Sequence, residues 1–404
     1  MPRPARSFCA PLSSVVFWAV VASAHLSTVV TTESAQSCGG TLYPENDRSL
    51  NGTAKSKFGW AVATSGNRLV VGADGGVVGG SWPGAVYVYD TSDGGLSWVL
   101  DITLAAPEEI GEEDKWILTM FGSAVAIDRD VIVVGSRTTC MPLSNYNCGY
   151  NLRGYAFVYK RSSTSTAETW ELKFQVAGPA STPTAKSSFG YTSVSVDMGA
   201  AADEGWIVVG AYQARKAYIY YTDDGGDSWS GWTANEEVEC PEPDKTLQPP
   251  YYNGDFFGHD VAVNSADGVI VVGAPFANRG SAEINAGKVY VFKLGAASQW
   301  EHLQTLEADD SSDATGVDRD NFGFKIAISG EWIVVGAPND KERSVVDAQA
   351  GAAYVFQKTN DGTYTQRAKI MGGQDGEQFG TTAASRRVLR VRAEFASPAQ
   401  VRSR

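Results

Sequence analysis

Basic side chains, histidine and cysteine are all scarce in this 404-residue chain, and each shortage removes a class of chemistry. Lys and Arg number 33 against 46 Asp and Glu, a net charge of −13. A chain so acidic repels phosphate backbones, so nucleic acid is not an expected partner. Histidine occurs three times, at His25, His259 and His302. His25 lies beside the expected leader cleavage point, His259 follows a Phe-Gly pair and His302 falls in a strand-like run, so none reads as catalytic. H-E-x-x-H, G-x-S-x-G and a phosphate-cradling glycine loop are absent. No catalytic residue and no cofactor-binding residue is therefore expected. Beyond the N-terminus no run approaches the roughly 20 apolar residues of a bilayer span, so the mature chain should lack a transmembrane segment.

The first residues read as an export signal. Arg3 and Arg6 precede an apolar stretch over 12–24 that ends in Ala22-Ser23-Ala24, an A-x-A cleavage pattern. An uncleaved anchor is the alternative, because the apolar tendency runs on to Val30, though His25 and Ser27 interrupt it. A signal peptide over 1–24 implies a secreted, extracellular protein in an oxidising compartment. Of the five cysteines, Cys9 leaves with the signal and Cys38, Cys140, Cys148 and Cys240 remain. Cys140 and Cys148 stand eight apart in one Pro/Asn/Gly-rich loop and are expected to pair as a disulfide. Whether Cys38 joins Cys240 stays open. In that compartment Asn51-Gly52-Thr53 is a glycosylation sequon at Asn51.

What the chain has in abundance is glycine and aromatic residues, in a repeat. Phe-Gly pairs stand at Phe58-Gly59, Phe121-Gly122, Phe189-Gly190, Phe257-Gly258, Phe322-Gly323 and Phe379-Gly380, 57 to 68 residues apart. After each of the first five comes an alternating run, a turn, and a continuous apolar run: RLVVGAD, VIVVGSR, WIVVGAY, VIVVGAP, WIVVGAP. A variable loop follows, then an alternating aromatic run such as GAVYVYD or GKVYVFK. The unit usually closes on a Trp with alternating apolar residues, as in SWVLDITL and QWEHLQTL. Period-2 alternation of β-branched and aromatic residues is the strand signal, so each unit predicts four strands. One such sheet cannot bury both of its faces, and neighbours must stack on it. An all-β β-propeller of four-stranded blades follows, with five full units and a partial sixth, against the alternative of a two-sheet sandwich.

These residues resemble the FG-GAP repeats of integrin α-chain propellers over roughly 41–380. The most specific part is the 14-residue step from FG to the VVG glycine at Phe58 to Gly72, Phe121 to Gly135 and Phe322 to Gly336. The resemblance implies a parent fold of seven blades, and it divides the chain into a signal at 1–24, a propeller over 25–380 and a degenerate or aberrant basic tail over 381–404. In that tail, Arg392 stands about where a VVG glycine belongs. The segment TLYPENDRSLNGTAKSKFG aligns with the end of a unit, so the chain is expected to start at an outermost strand.

Strand alternation sorts the connections onto two faces. One carries the tight first-to-second turns, where integrins often place a DxDxDG calcium loop. Here the turns are too short or do not match, so no cofactor is expected. Calcium is possible but has no intact DxDxDG loop behind it; Asp197, Asp203, Asn264 and Asp267 are weak candidates as metal ligands. The same face carries T-x-D-x-G-x-S-W runs, Thr91 to Trp98 and Thr222 to Trp229, that look like the structural Asp-boxes of sialidases and sortilin-type propellers. The other face carries long, dissimilar loops and acidic inter-blade links, among them Glu108, Glu109, Glu112, Glu113 and Asp114. A solvated rim is the simpler reading of that charge. Function concentrates in variable loops on a rigid scaffold. The expected function is a secreted or cell-surface adhesion or protein-recognition scaffold without catalytic activity. Its expected partner is an extracellular protein or glycan on the variable-loop face. A sialidase-like glycosidase and a purely structural matrix component are the alternatives.

Overall fold

A computed structural model describes residues 57–75, 84–107, 117–118, 120–137, 139–140, 154–163, 168–178, 188–201, 203–231, 237–239, 254–278, 285–296, 298–309, 320–341, 350–372 and 378–381. The expectations for the signal peptide, Asn51, Cys38, Cys148, Cys240, the entering segment, the acidic residues Glu108, Glu109, Glu112, Glu113 and Asp114, and the basic tail lie outside these residues, as does the side chain of Cys140. Among the described residues every regular element is a strand. The first sheet is β1 (Ala61–Ser65), β2 (Arg68–Ala73), β3 (Ala85–Asp90) and β4 (Val99–Ala105). After the two-residue β5 (Ile117–Leu118), the second sheet is formed by β6 (Ala124–Asp128), β7 (Val131–Arg137), β9 (Gly154–Ser163) and β10 (Glu168–Ala177); the short β8 (Thr139–Cys140) pairs with β5. The third sheet has β11 (Val194–Met198), β12 (Gly205–Ala211), β13 (Lys216–Thr222), β14 (Ser230–Gly231) and β15 (Glu237–Glu239). β16 (Val261–Asn264), β17 (Val269–Ala274), β18 (Lys288–Leu294) and β19 (Trp300–Leu306) form the fourth sheet. The fifth is β20 (Lys325–Ser329), β21 (Trp332–Ala337), β22 (Ala352–Lys358) and β23 (Tyr364–Met371).

All five are antiparallel meanders running from an innermost first strand to an outermost fourth. Four apolar cores lie in the four seams between successive sheets. One holds Val88 with Val125 and Ile132, the next Val133 with Val194 and Ile207, then Ile219 with Val261 and Ile270, then Val291 with Ile326 and Ile333. The second, third and fourth sheets thus bury both faces against neighbours, and this face-to-face stacking of four-stranded sheets makes the fold a β-propeller.

The repeated motif has a steric cause. The VVG glycine of one sheet and the FG glycine of the next lie back to back across the seam. A Cβ on Gly72 would collide with the Gly122 carbonyl, and a Cβ on Gly122 would sit 2.6 Å from the Ala85 oxygen. The same meeting recurs at Gly135 with Gly190, Gly210 with Gly258, Gly273 with Gly323 and Gly336 with Gly380. Gly122 also has φ +88°, a backbone state that side chains other than glycine rarely adopt. The Phe of each pair packs on the aromatic run of its own sheet: Phe58–Tyr87 at 5.3 Å, Phe121–Phe157 at 5.4 Å, Phe189–Tyr218 at 5.3 Å, Phe257–Tyr290 at 5.4 Å and Phe322–Tyr354 at 5.2 Å. Motif and aromatic run are two halves of one contact.

Two polar belts tie the sheets together. At the inner end, Ser65, Asp128, Asp197, Asn264 and Ser329 hold equivalent places, each paired to the first residue of its second strand or one step from it. The Arg129 amide donates to Ser65 Oγ (2.9 Å), the Met198 amide to Asp128 Oδ2 (2.9 Å) and the Ser265 amide to Asp197 Oδ2 (2.7 Å). Asn264 Nδ2 donates across the next seam to the Gly330 carbonyl (3.1 Å). At the outer end, a one-residue bulge falls at the same step of the fourth strand in four sheets, at Asp101, Lys173, Leu303 and Arg367. In the third sheet Tyr220 pairs with Gly231 and Tyr218 with Glu237, so six steps along the outer strand answer two along β13. Two bulge side chains reach the next sheet: Asp101 accepts from Trp170 Nε1 (3.0 Å), and Lys173 pairs with Asp227 (3.2 Å).

Candidate binding face

The second strands end, and the FG pairs begin, on the same side of the disc, where the variable loops are rooted. In every unit the residue just before FG has positive φ: Lys57 (52°), Met120 (41°), Ser188 (50°), Phe256 (57°), Asn321 (57°) and Gln378 (49°). Left-handed backbone outside glycine is strained. Its recurrence at six equivalent points makes it an architectural turn that projects one side chain onto this face.

In the fourth unit that side chain is aromatic, and it sits in a run of rings crossing three sheets. Tyr212, immediately after β12, lies 4.9 Å from Phe256, and Phe256 lies edge-on to Phe276 at 4.7 Å. Tyr212 reaches His259 at 5.8 Å, and His259 reaches Phe324 of the fifth sheet at 4.7 Å. Nearby, the Arg137 guanidinium stands 4.8 Å over the Tyr191 ring. All these rings are half-buried, so each presents part of its surface to solvent.

Ion pairs fix the rings from beneath. Arg215 grips the buried Asp255 with both ends of its fork, Nε to Oδ1 at 2.9 Å and Nη2 to Oδ2 at 2.6 Å. Asp255 also accepts the Phe257 amide (3.1 Å), locking the turn that presents Phe256. Lys325 Nζ bonds Asp260 Oδ1 (3.0 Å) and the Thr192 carbonyl (3.3 Å), while Asp260 Oδ2 accepts the Ile326 amide (2.6 Å). One lysine thereby ties the third, fourth and fifth sheets together. Burial, reinforced by the Lys325 ammonium, lowers the His259 pKa to about 3, against the opposing pull of its bond to the Phe324 carbonyl. His259 is therefore a neutral ring at physiological pH, with Nδ1–H donating to that carbonyl at 3.1 Å. The arrangement offers flat apolar faces with fixed orientation, suited to stacking.

The four candidate metal ligands lie on the opposite side. Asp197 and Asn264 belong to the inner belt, where Asp197 Oδ2 also accepts the Ser265 hydroxyl (2.7 Å) and Asn264 donates to Asp267 Oδ2 (3.1 Å). Asp267 Oδ1 takes Lys358 Nζ at 2.7 Å. Asp203 uses its carbonyl to accept the Gly225 amide (2.7 Å). Asn264 and Asp267 come together and Asp197 and Asp203 do not join them. A calcium loop needs six or more convergent oxygens; Asp197, Asn264 and Asp267 hold the hydrogen bonds and ion pair just given, and the Asp203 contact is made by its backbone. Among the described residues no three His, Cys, Asp or Glu side chains are grouped to hold a metal ion.

Both Asp-box runs close as hairpins stapled by the aspartate. Asp93 accepts the Ser97 amide (2.9 Å) and hydroxyl (2.5 Å), and Asp224 does the same with Ser228 (3.0 and 2.5 Å). The Ser97 hydroxyl and amide, with Thr91, hold the Asp93 carboxyl well below the usual range. At Asp224 burial pulls upward, yet Ser228 and Thr222 outweigh it and keep the group equally low. A third staple escaped the sequence reading. Thr359 to Tyr364 forms a shorter version in which Asp361 accepts the Thr363 amide (3.1 Å) and hydroxyl (2.7 Å), and Thr359 and Thr363 lower it to about 2. Thr and Tyr stand there for Ser and Trp, which hid it. The aromatic run on the loop face was missed too, because its members sit 3 to 48 residues apart in sequence and only the seams align them.

Comparison with known proteins locates the motif independently. The family described as FG-GAP repeat matches residues 50–89 and 300–356. No curated protein matches the chain. Among solved structures, a 6-phosphogluconolactonase-like protein of Bacteroides fragilis is similar at 11% identity and a TM-score of 0.44, over 78% of this chain and 72% of that one. Trypanosoma rangeli sialidase is similar at 10% identity and a TM-score of 0.40, over 78% of this chain and 48% of that one.

Proposed function

Since the chain carries FG-GAP repeats on a β-propeller scaffold, we propose that it is an extracellular recognition module whose loop face binds a protein or glycan without chemical turnover. The observation that carries this reading is the run Tyr212, Phe256, Phe276, His259 and Phe324. Partly exposed rings, held in place by buried ion pairs, supply large contact area with little entropy left to lose. Such anchors dominate binding energy at protein interfaces, and flat rings stack equally well on sugar. Around them, His259 is neutral and Asp255 and Asp260 are paired, so these groups position the surface. No helix among the described residues is long and apolar enough to cross a membrane.

The test compares the wild-type chain with a Tyr212→Ser, Phe276→Ser double variant on arrayed glycans and immobilised extracellular-matrix proteins. Binding by the wild type that falls at least tenfold in the variant, with an unchanged melting temperature, supports the reading. Equal retention by both excludes this face. Turnover of a fluorogenic sialoside or a lactone by the purified protein would replace the binding role with a catalytic one.

A further inference from the structure

The turn face, opposite the rings, carries a cleft of 520 Å³ where the fourth and fifth sheets meet. That size falls within the roughly 300–1,000 Å³ of small-molecule sites. Its walls come from three turns and one outer strand. Asp267 stands between β16 and β17, Glu331 between β20 and β21, Lys358 to Asn360 at the end of β22, and Arg367 at the bulge of β23. Every side chain lining the cleft is polar, with two acids and two bases among them.

Those charges do not all cancel in place. Lys358 Nζ pairs with Asp267 Oδ1 at 2.7 Å, which answers one charge of each sign. Glu331 and Arg367 line the same cleft without an ion pair to each other or to another described residue. Both are exposed, yet neither is loosely placed. The Lys358 amide holds the Glu331 carbonyl at 2.7 Å. Arg367 Nε donates to Gln357 Oε1 at 3.1 Å, which leaves the terminal nitrogens of the guanidinium without a partner among the described residues.

Tyr364 is a second, independent sign of a missing partner. Its side chain is 1% exposed, and the buried hydroxyl has no hydrogen-bond partner among the described residues. Trp170 holds the equivalent place in the second sheet, three residues before the bulge, and gives its Nε1–H to Asp101 of the sheet before. In the place of Asp101, the fourth sheet has Leu303, which offers no acceptor to Tyr364. Burial, with the Asp267 and Glu331 carboxylates, pushes the phenol above its usual range and keeps it protonated. The carboxylates that act on the hydroxyl are those of the cleft, which sets it against the inner wall. Buried hydroxyls are rarely left unsatisfied.

We propose that this cleft binds a free α-amino acid with a polar side chain, Arg367 taking the carboxylate and Glu331 the ammonium. A guanidinium fork matches a carboxylate with two parallel bonds. An ammonium has three donors, enough for the Glu331 carboxylate and the Tyr364 oxygen together. Gln357 and Asn360 offer amides to the ligand's side chain. A simple anion would leave Glu331 unanswered, and a metal ion would meet Lys358 and Arg367. A neutral sugar would find no aromatic ring among the lining residues to stack on. The site is separate from the ring-lined face, and neither depends on the other.

The test titrates the full-length chain with L-serine and L-glutamine in a calorimeter, beside N-acetyl-L-serine, L-serinamide and D-glucose. The expected result is saturable one-to-one binding of L-serine or L-glutamine, at least tenfold tighter than that of the other three. Glu331→Gln and Arg367→Gln should each weaken it at least tenfold, and Tyr364→Phe at least threefold, with circular dichroism unchanged. Leu172→Ser, on an exposed residue of the second sheet, should bind like the wild type. Should Arg367→Gln disturb the fold, Arg367→Lys, which keeps the charge and loses the fork, is the second probe. The proposal fails if neither amino acid saturates up to about 10 mM. It fails equally if a blocked analogue or glucose binds as well, or if the Glu331, Arg367 or Tyr364 variants bind like the wild type.

Discussion

At the scale of single residues, the same position can be strained in every repeat and still differ in what it carries. Met120 holds a left-handed turn at φ 41° that glycine would adopt freely. Met120→Gly should therefore raise stability, by about 1 kcal/mol, read as a higher urea midpoint. His259 gives the opposite kind of signal. Its folded pKa of about 3 lies below the ordinary 6.5, so the unfolded chain binds the proton more readily. The stabilisation is complete above pH 6.5 and is lost as pH falls toward 3, with a slope of at most about 1.4 kcal/mol per unit. Lys325 and Asp260 face the same seam, bonded to each other at 3.0 Å. Urea titrations at pH 7 and pH 5 should show the loss in the wild type and a smaller one in His259→Phe.

At the scale of elements, the strands were legible and their ties were not. Period-2 alternation located the four strands of each unit, because a half-buried strand must alternate whatever lies around it. Inner-belt members such as Asp128 and Asp197 looked like ordinary turn residues or weak cation ligands. Their bonds join residues 63 to 70 positions apart, and no local pattern encodes that. Asp128→Ala leaves the buried Met198 amide without its acceptor and should cost about 2 kcal/mol, measurable by denaturant unfolding. The Asp-box carboxylates Asp93, Asp224 and Asp361 titrate below their ordinary value of 3.8, so their contribution is intact above that pH and is lost progressively as pH falls below it, Asp361 first, at about 2. Asp224→Asn should flatten that acid limb of the melting curve.

At the scale of the whole molecule, the repeat was enough to deduce the stacking of sheets, since a four-stranded sheet cannot bury both of its faces alone. It did not reveal which rings the seams would align. The belts predict mechanical independence from ions. Treating the protein with chelator should leave its melting temperature unchanged, because Asp197, Asn264 and Asp267 are bonded to Ser265, Gly330 and Lys358. A drop of several degrees in calorimetry would show that a cation shares the turns.

The bulge in the outermost strands has a consequence for remodelling the protein. Four sheets make room for one surplus residue at the same step, and the third makes room for four without losing β14 or β15. Longer loops at such a point add little closure entropy, each doubling costing only about 0.6 kcal/mol. The circumference is thus a set of pre-cut splice points. A fluorescent tag or an epitope grafted beside Asp101 or Arg367 would ride on the perimeter of the disc.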